Sequence, residues 1–349
     1  MTTRDILAQT FTIISGDEIN MTVKKASTRV NLPPKQKHIK ALHQFIQNPR
    51  ANLVHLVDCF SQRFRKNNWM ISLKALLTAH HLMNDSNQAF LLQVSRRPHL
   101  FEIPGWIDNS SSYSVDVSPR IVRYSKYLSL KSECFRTYQK DLTAKKAIQE
   151  VFTVGDIKQV LSQMEFIDRL GKSLDDTCID FSLSSPIFHA QNVTLLREKL
   201  RVYSALNERM IFILKNLNEL EASDAVKVIP YYEELCSSHR TIERLIHIAA
   251  GKGVDGVSEV RLKAPSSELV ESLRDLVKEI IRTRGPPRLK KEWQVEDEPA
   301  GRNVAEKHNM IMGIVSSNTD VIPSSVTQDN FNIFWADQPT SIFPLIFWH

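Results

Sequence analysis

Lys25, Lys35, Lys37 and His38 are the residues whose types and spacing could do chemistry in this chain. They fall in the stretch VKKASTRVNLPPKQKH, which runs from Val23 to His38. Two adjacent prolines, Pro33 and Pro34, end whatever helix carries Lys25 and permit a new one to begin near Lys35. A corner of this kind brings the end of one helix beside the start of the next. The amides of a helix start carry partial positive charge, so three ammonium groups and an imidazole gathered there would form an anion pocket. Lys35 and Lys37, two residues apart, diverge along a helix, but in its first turn both can point off the end. A run of bases read alone is more often simply a solvated basic face.

Other chemistries fail on their own requirements. Gly251-Lys252-Gly253-Val254-Asp255-Gly256 spells the dinucleotide fingerprint, but an amphipathic helix precedes it where a strand is needed. Gly171-Lys172-Ser173 echoes a phosphate-binding loop, yet Phe166 stands where that loop needs its first glycine. His80 and His81 are neighbours, about 100° apart on a helix, which is not a metal-ligating spacing. The four cysteines (Cys59, Cys134, Cys178 and Cys236) are scattered and read as thiols in a reducing compartment. No HExxH, GxSxG or acid/base carboxylate pair occurs. The chain is expected to be no enzyme and to need neither cofactor nor metal.

Composition agrees with a binding role. The 349 residues carry a formal net charge of +6, which favours acidic surfaces such as phosphate backbones or anionic lipid head groups without choosing between them. Ten glycines in this length argue against a fold built on tight β-turns. The first residues, MTTRDILAQTFTIISGDE, lack the apolar core and cleavage site of a signal peptide. Nothing approaches the ~20 apolar residues that cross a bilayer. A membrane would be met from outside.

The elements that must position the basic cluster are helices. Leu196, Leu200, Tyr203, Met210, Ile213, Leu217 and Leu220 form one stripe at steps of three, four or seven. Ile242, Leu245, Ile246 and Ala249 continue the pattern up to Gly251 and Gly253, which read as terminators. A later helix is expected after Pro265, with Ser266 as its N-cap. Trp69–Leu92, Arg120–Tyr138 and Ile148–Ile167 read as three more, and no alternating strand is found. The expected class is all-α, a superhelical solenoid-like bundle of about ten helices. The helical rhythm breaks at Arg284-Gly285-Pro286-Pro287. Residues 285–349 read as a disordered polar tail, though an aromatic-rich one, as short docking motifs would require.

The basic cluster also carries a resemblance. Lys25, then Lys35 ten residues on, then Lys37-His38, resembles the K-x9-K-x-K-H signature of the ANTH domain found in clathrin-assembly proteins of the CALM type. Three further landmarks fit in order: LKALLTAHHLM at Leu73–Met83, Arg123-Tyr124-Ser125-Lys126-Tyr127-Leu128, and Ala264-Pro265-Ser266-Ser267 before a late helix. On this resemblance residues 16–284 are the phosphoinositide-binding helical domain. Lys25, Lys35, Lys37 and His38 would then hold the phosphates of a phosphatidylinositol bisphosphate in an exposed site. The family often places another lysine one turn before the first; here Met21 stands there, with Lys24 or Lys40 as possible substitutes. The resemblance implies an endocytic adaptor on the cytosolic face of the plasma membrane, in clathrin-coated pits and vesicles. It also implies clathrin or adaptor complexes and small vesicle SNAREs as partners.

A lysine near an anionic surface contributes about 1 kcal/mol, so four basic groups alone give roughly millimolar binding. A second contact is expected. Ile6, Leu7, Phe11 and Ile14 would share one face of a leading helix over residues 1–15, which either wedges into the membrane or packs back on the domain. In the tail, Asp329-Asn330-Phe331 and Phe331-x-x-Phe334-Trp335 come near adaptor motifs, or else mark a divergent end with no dedicated partner. The alternative of another class is a basic helical nucleic-acid binder. That reading wants bases spread along a helix or among aromatics, whereas here they are compact and beside a proline corner. Nucleic acid is therefore not expected as a partner.

Overall fold

Asn68 starts the helix around which the first half of the chain is built. Its side chain accepts the Ile71 amide at 3.2 Å, capping α4 (Trp69–Met83). Nearly every residue of α4 is buried, as an all-round apolar sequence requires. Around it lie α1 (Gly16–Ala26), α2 (Gln36–Gln47), α3 (Leu53–Phe64), α5 (Ala89–Ser95) and α6 (Ser112–Tyr138), each in contact with it. The computed structural model describes residues 16–85, 87–151, 156–257, 260 and 262–284. The leading segment with Ile6, Leu7, Phe11 and Ile14, and the tail with Asp329, Phe331, Phe334 and Trp335, lie outside them.

The chain after α6 continues through α7 (Lys145–Gln149), α8 (Ile157–Asp176), α9 (Pro186–Lys215), a 3-10 turn at Leu217–Glu219, α10 (Ala222–Gly251) and α11 (Leu269–Arg284). The described residues hold eleven α-helices and no strand, so the fold is all-α. They divide into two compact units. The first takes residues up to 141 together with 172–195, and the second takes 142–171 together with 196–284.

Within the first unit, Phe60, Phe64, Phe90 and Phe101 form an edge-and-face cluster with centroids 5.2–5.9 Å apart. Trp69 stacks on Phe188 at 5.2 Å, and the Arg120 guanidinium lies 5.1 Å from the same ring. His80, paired with Tyr124 by a 2.8 Å hydrogen bond, is a core residue. In the second unit the α9 stripe is buried as expected, and Leu217 and Leu220 extend it past the helix end. Arg209 is fully buried there, donating to Gln163 at 3.0 Å and to the Ala205 carbonyl at 3.1 Å.

Several boundaries differ from the sequence reading, each for a local reason. The helix expected over Trp69–Leu92 stops at Met83. Asp85 then closes a turn by accepting the Asn87 amide at 2.8 Å, and Gln88 takes φ 55° before α5 begins. The helix expected from Arg120 starts at Ser112, because Ser111 caps it through the Ser114 amide at 3.1 Å; Pro119 lies inside it. Among the described residues, the segment expected over Ile148–Ile167 falls in α7 and α8, the latter starting after Asp156, which accepts the Lys158 amide. Ser266 does not cap α11 directly. Its carbonyl accepts the Tyr232 hydroxyl at 2.9 Å and the Leu269 amide at 3.3 Å, and the helix begins at Leu269. Gly251 and Gly253 do terminate α10, Gly253 at φ +71°, where a side chain would be strained.

Candidate anion-binding site

Ile19, Val23 and Ala26 turn inward on α1, which leaves Lys24 and Lys25 exposed at its last turn. The helix ends where the Ser27 amide and hydroxyl both reach the Val23 carbonyl, at 3.1 and 2.7 Å. The chain crosses the proline pair, with Pro34 buried, and Lys35 takes an extended conformation as N-cap of α2. Its carbonyl accepts the His38 amide at 2.9 Å, while its side chain makes no capping bond. Lys35 and Lys37 are exposed and His38 is half-buried.

The electrostatics show which groups share this corner. Burial, and then the ammonium groups of Lys37, Lys25 and Lys35 in that order, hold the His38 imidazole below its ordinary value. Lys25 therefore sits within reach of the α2 start, although ten residues separate it from Lys35. The charge of Lys24 is felt at Cys59 of α3, where it offsets part of the rise that burial and Asp58 impose on the thiol. Between Glu18 and Asp58 the sequence contains seven lysines and arginines and no acidic residue, so no neighbour along the chain offsets the cluster. Lys35 and Lys37 also stand at the positive end of the α2 dipole, where cations are disfavoured and an anion is welcome. The corner gathers positive charge that no acidic residue between Glu18 and Asp58 offsets along the chain.

The sequence model of the ANTH domain matches residues 18–279, three quarters of the chain and the whole of this corner. The chain belongs to the ANTH domain family. Its relatives include the phosphatidylinositol-binding clathrin assembly protein of Rattus norvegicus, 26% identical over 262 residues, covering 74% of this chain and 41% of that protein. The clathrin coat assembly protein AP180 of Homo sapiens is 24% identical over 262 residues, covering 74% and 29%. The chain thus spans about two fifths or less of the length of these relatives. Among solved structures, the ENTH domain from epsin-2 in complex with phosphatidylinositol 4,5-bisphosphate shows a slight likeness. Its TM-score is 0.40 at 16% identity, over 72% of this chain and 97% of that one.

In this ANTH domain the sequence did not reveal the groups that hold the corner in place. Arg63 of α3 donates through Nε to the Ser27 hydroxyl at 2.8 Å and through Nη2 to the Ser27 carbonyl. Lys74 of α4, only 3% exposed, donates to the Thr28 hydroxyl at 2.9 Å and to the Val30 carbonyl at 3.4 Å. Burial, and then the charge of Lys35, push its ammonium pKa down. The Ser185 hydroxyl donates to Asn31 Oδ1 at 2.8 Å. One signal did exist: Lys74 is the single charge in the buried run Trp69–Ala79, and a lone charge on an all-apolar helix needs a polar partner. Among the described residues no group of histidine, cysteine and acidic side chains could hold a metal, and no helix is long and apolar enough to cross a membrane.

Proposed function

We propose that this chain is a phosphoinositide-dependent adaptor that docks on the cytosolic face of the plasma membrane and promotes clathrin-coated vesicle formation. Lys25, Lys35, Lys37 and His38 take the phosphates of a phosphatidylinositol bisphosphate head group. Three ammonium groups meet the clustered charges, and the α2 amides supply further donors. What supports this reading is that α1 and α2 pack against each other and that the charges of Lys37, Lys25 and Lys35, from both sides of the proline corner, all lower the His38 pKa. Membership of the ANTH family and the names of its relatives support a coat-assembly role. Small vesicle SNAREs as cargo, and clathrin or adaptor complexes as partners of the tail, rest on the family resemblance alone.

Sedimentation with liposomes tests the site. The chain should be recovered with vesicles containing the bisphosphorylated lipid and not with vesicles of equal charge lacking it. Lys35→Glu combined with Lys37→Glu should abolish recovery, since each change replaces an attraction with a repulsion of similar size. Equal recovery with plain acidic vesicles, or equal binding to DNA, would reduce the site to generic electrostatics.

A further inference from the structure

The loop joining α1 to α2, residues 27–35, is built the wrong way round for a loop that faces only water. Apart from the exposed Arg29 and Lys35, its polar groups between Ser27 and Asn31 are bonded to neighbouring elements. The Ser27 hydroxyl and carbonyl are held by Arg63, the Thr28 hydroxyl and the Val30 carbonyl by Lys74, and the Asn31 side chain by Ser185. The Leu32 amide closes on the Val30 carbonyl at 2.8 Å. Of its apolar side chains Pro34 is buried, but Val30 and Leu32 face outward, 56% and 52% exposed. Met21, 48% exposed, lies one helical turn before Lys25 and so on the same face of α1. Three exposed apolar side chains thus adjoin the basic cluster.

We propose that the α1–α2 loop is a membrane-entering element, in which Val30 and Leu32, flanked by Met21, enter the interfacial layer of a bilayer whose head group Lys25, Lys35 and Lys37 hold. The occupant follows from the charge around the patch. A protein surface covering Val30 and Leu32 would have to bury or neutralise the adjoining ammonium groups one by one, whereas an anionic bilayer presents apolar depth and negative head groups together. The loop also supplies what the lysines lack, because four basic groups alone hold a membrane only weakly. This inference rests on the phosphoinositide reading of the site.

The test uses the full chain carrying Val30→Ser and Leu32→Ser, both side chains being more than half exposed, with unchanged thermal unfolding as the control for folding. Two probes are measured: soluble inositol trisphosphate, and phosphatidylcholine vesicles carrying the bisphosphorylated lipid. Binding of the soluble head group should stay within about twofold of the unsubstituted chain, while vesicle binding weakens by on the order of tenfold to a hundredfold. Unchanged vesicle binding overturns the proposal and leaves a protein partner as the occupant. Equal loss for both probes overturns it too, because the loop would then act only by placing the lysines. If the unsubstituted chain takes up the head group on neither probe, it is the phosphoinositide reading that fails, and the Lys35→Glu with Lys37→Glu comparison will already have shown this.

Discussion

His38 differs from the three lysines around it in being able to change charge near neutrality. With its pKa lowered by burial and by Lys37, Lys25 and Lys35, the ring is mostly neutral in the unliganded protein at pH 7. A bound phosphate favours the charged form, so binding draws a proton onto the ring. Head-group affinity conferred by His38 should therefore rise as pH falls below 6.5, the ordinary imidazole value. The head group's own phosphates also titrate near pH 6 and lose charge, so the informative quantity is a comparison. The ratio of wild-type to His38→Gln affinity, followed by calorimetry across this range, should grow several-fold towards acid. A flat ratio would mean that the ring does not meet the phosphate. The sequence made this cluster legible because its members lie within fourteen residues, joined by a corner that prolines announce. Lys74 stood out as a lone charge, but its pairing with Thr28 was hidden because the two lie 46 residues apart, a separation over which no local pattern speaks.

At the scale of elements, the start of α4 depends on a residue outside it. Asp108 Oδ2 accepts the Trp69 amide at 2.8 Å, and Oδ1 accepts the Ser110 amide at 3.0 Å. Burial alone would raise this carboxyl, but the bonds from Ser110 and Trp69, with the charge of Arg29, outweigh it and hold it below the usual carboxylate value. A carboxyl depressed in the folded state stabilises the protein above its unfolded pKa, and that contribution fades as pH falls through the folded value. Asp108→Ala should cost about 1–3 kcal/mol at neutral pH, since it orphans a buried amide. It should also flatten the loss of thermal stability in acid. Melting curves at neutral pH and in an acid series, for both proteins, check the two effects together. Periodicity read the helical stripes well, since burial on α9 and α10 follows directly from spacing. It misjudged ends wherever a side chain decided them. The Asp85 turn lies in the polar stretch 84–88, which the helical reading ran through because apolar residues resume at Phe90, and the Ser111 cap extends α6 back past Pro119.

For the whole molecule, the net charge of +6 gives a general pull towards anionic surfaces. If the leading segment is a further membrane contact, removing residues 1–15 should weaken liposome binding and leave the melting temperature unchanged. A clear drop in melting temperature would instead assign that segment to packing; both readouts come from one truncated protein. The bracing of residues 27–31 by Arg63, Lys74 and Ser185 has a last consequence, for speed. The loop is ordered when the chain folds, so arrival at a bilayer demands no conversion from coil to structure. If the loop enters a membrane as proposed, docking would proceed at the pace of collision, and departure would require no local melting. On the proposed reading, such a contact would be readily made and undone as the phosphates on the lipid come and go.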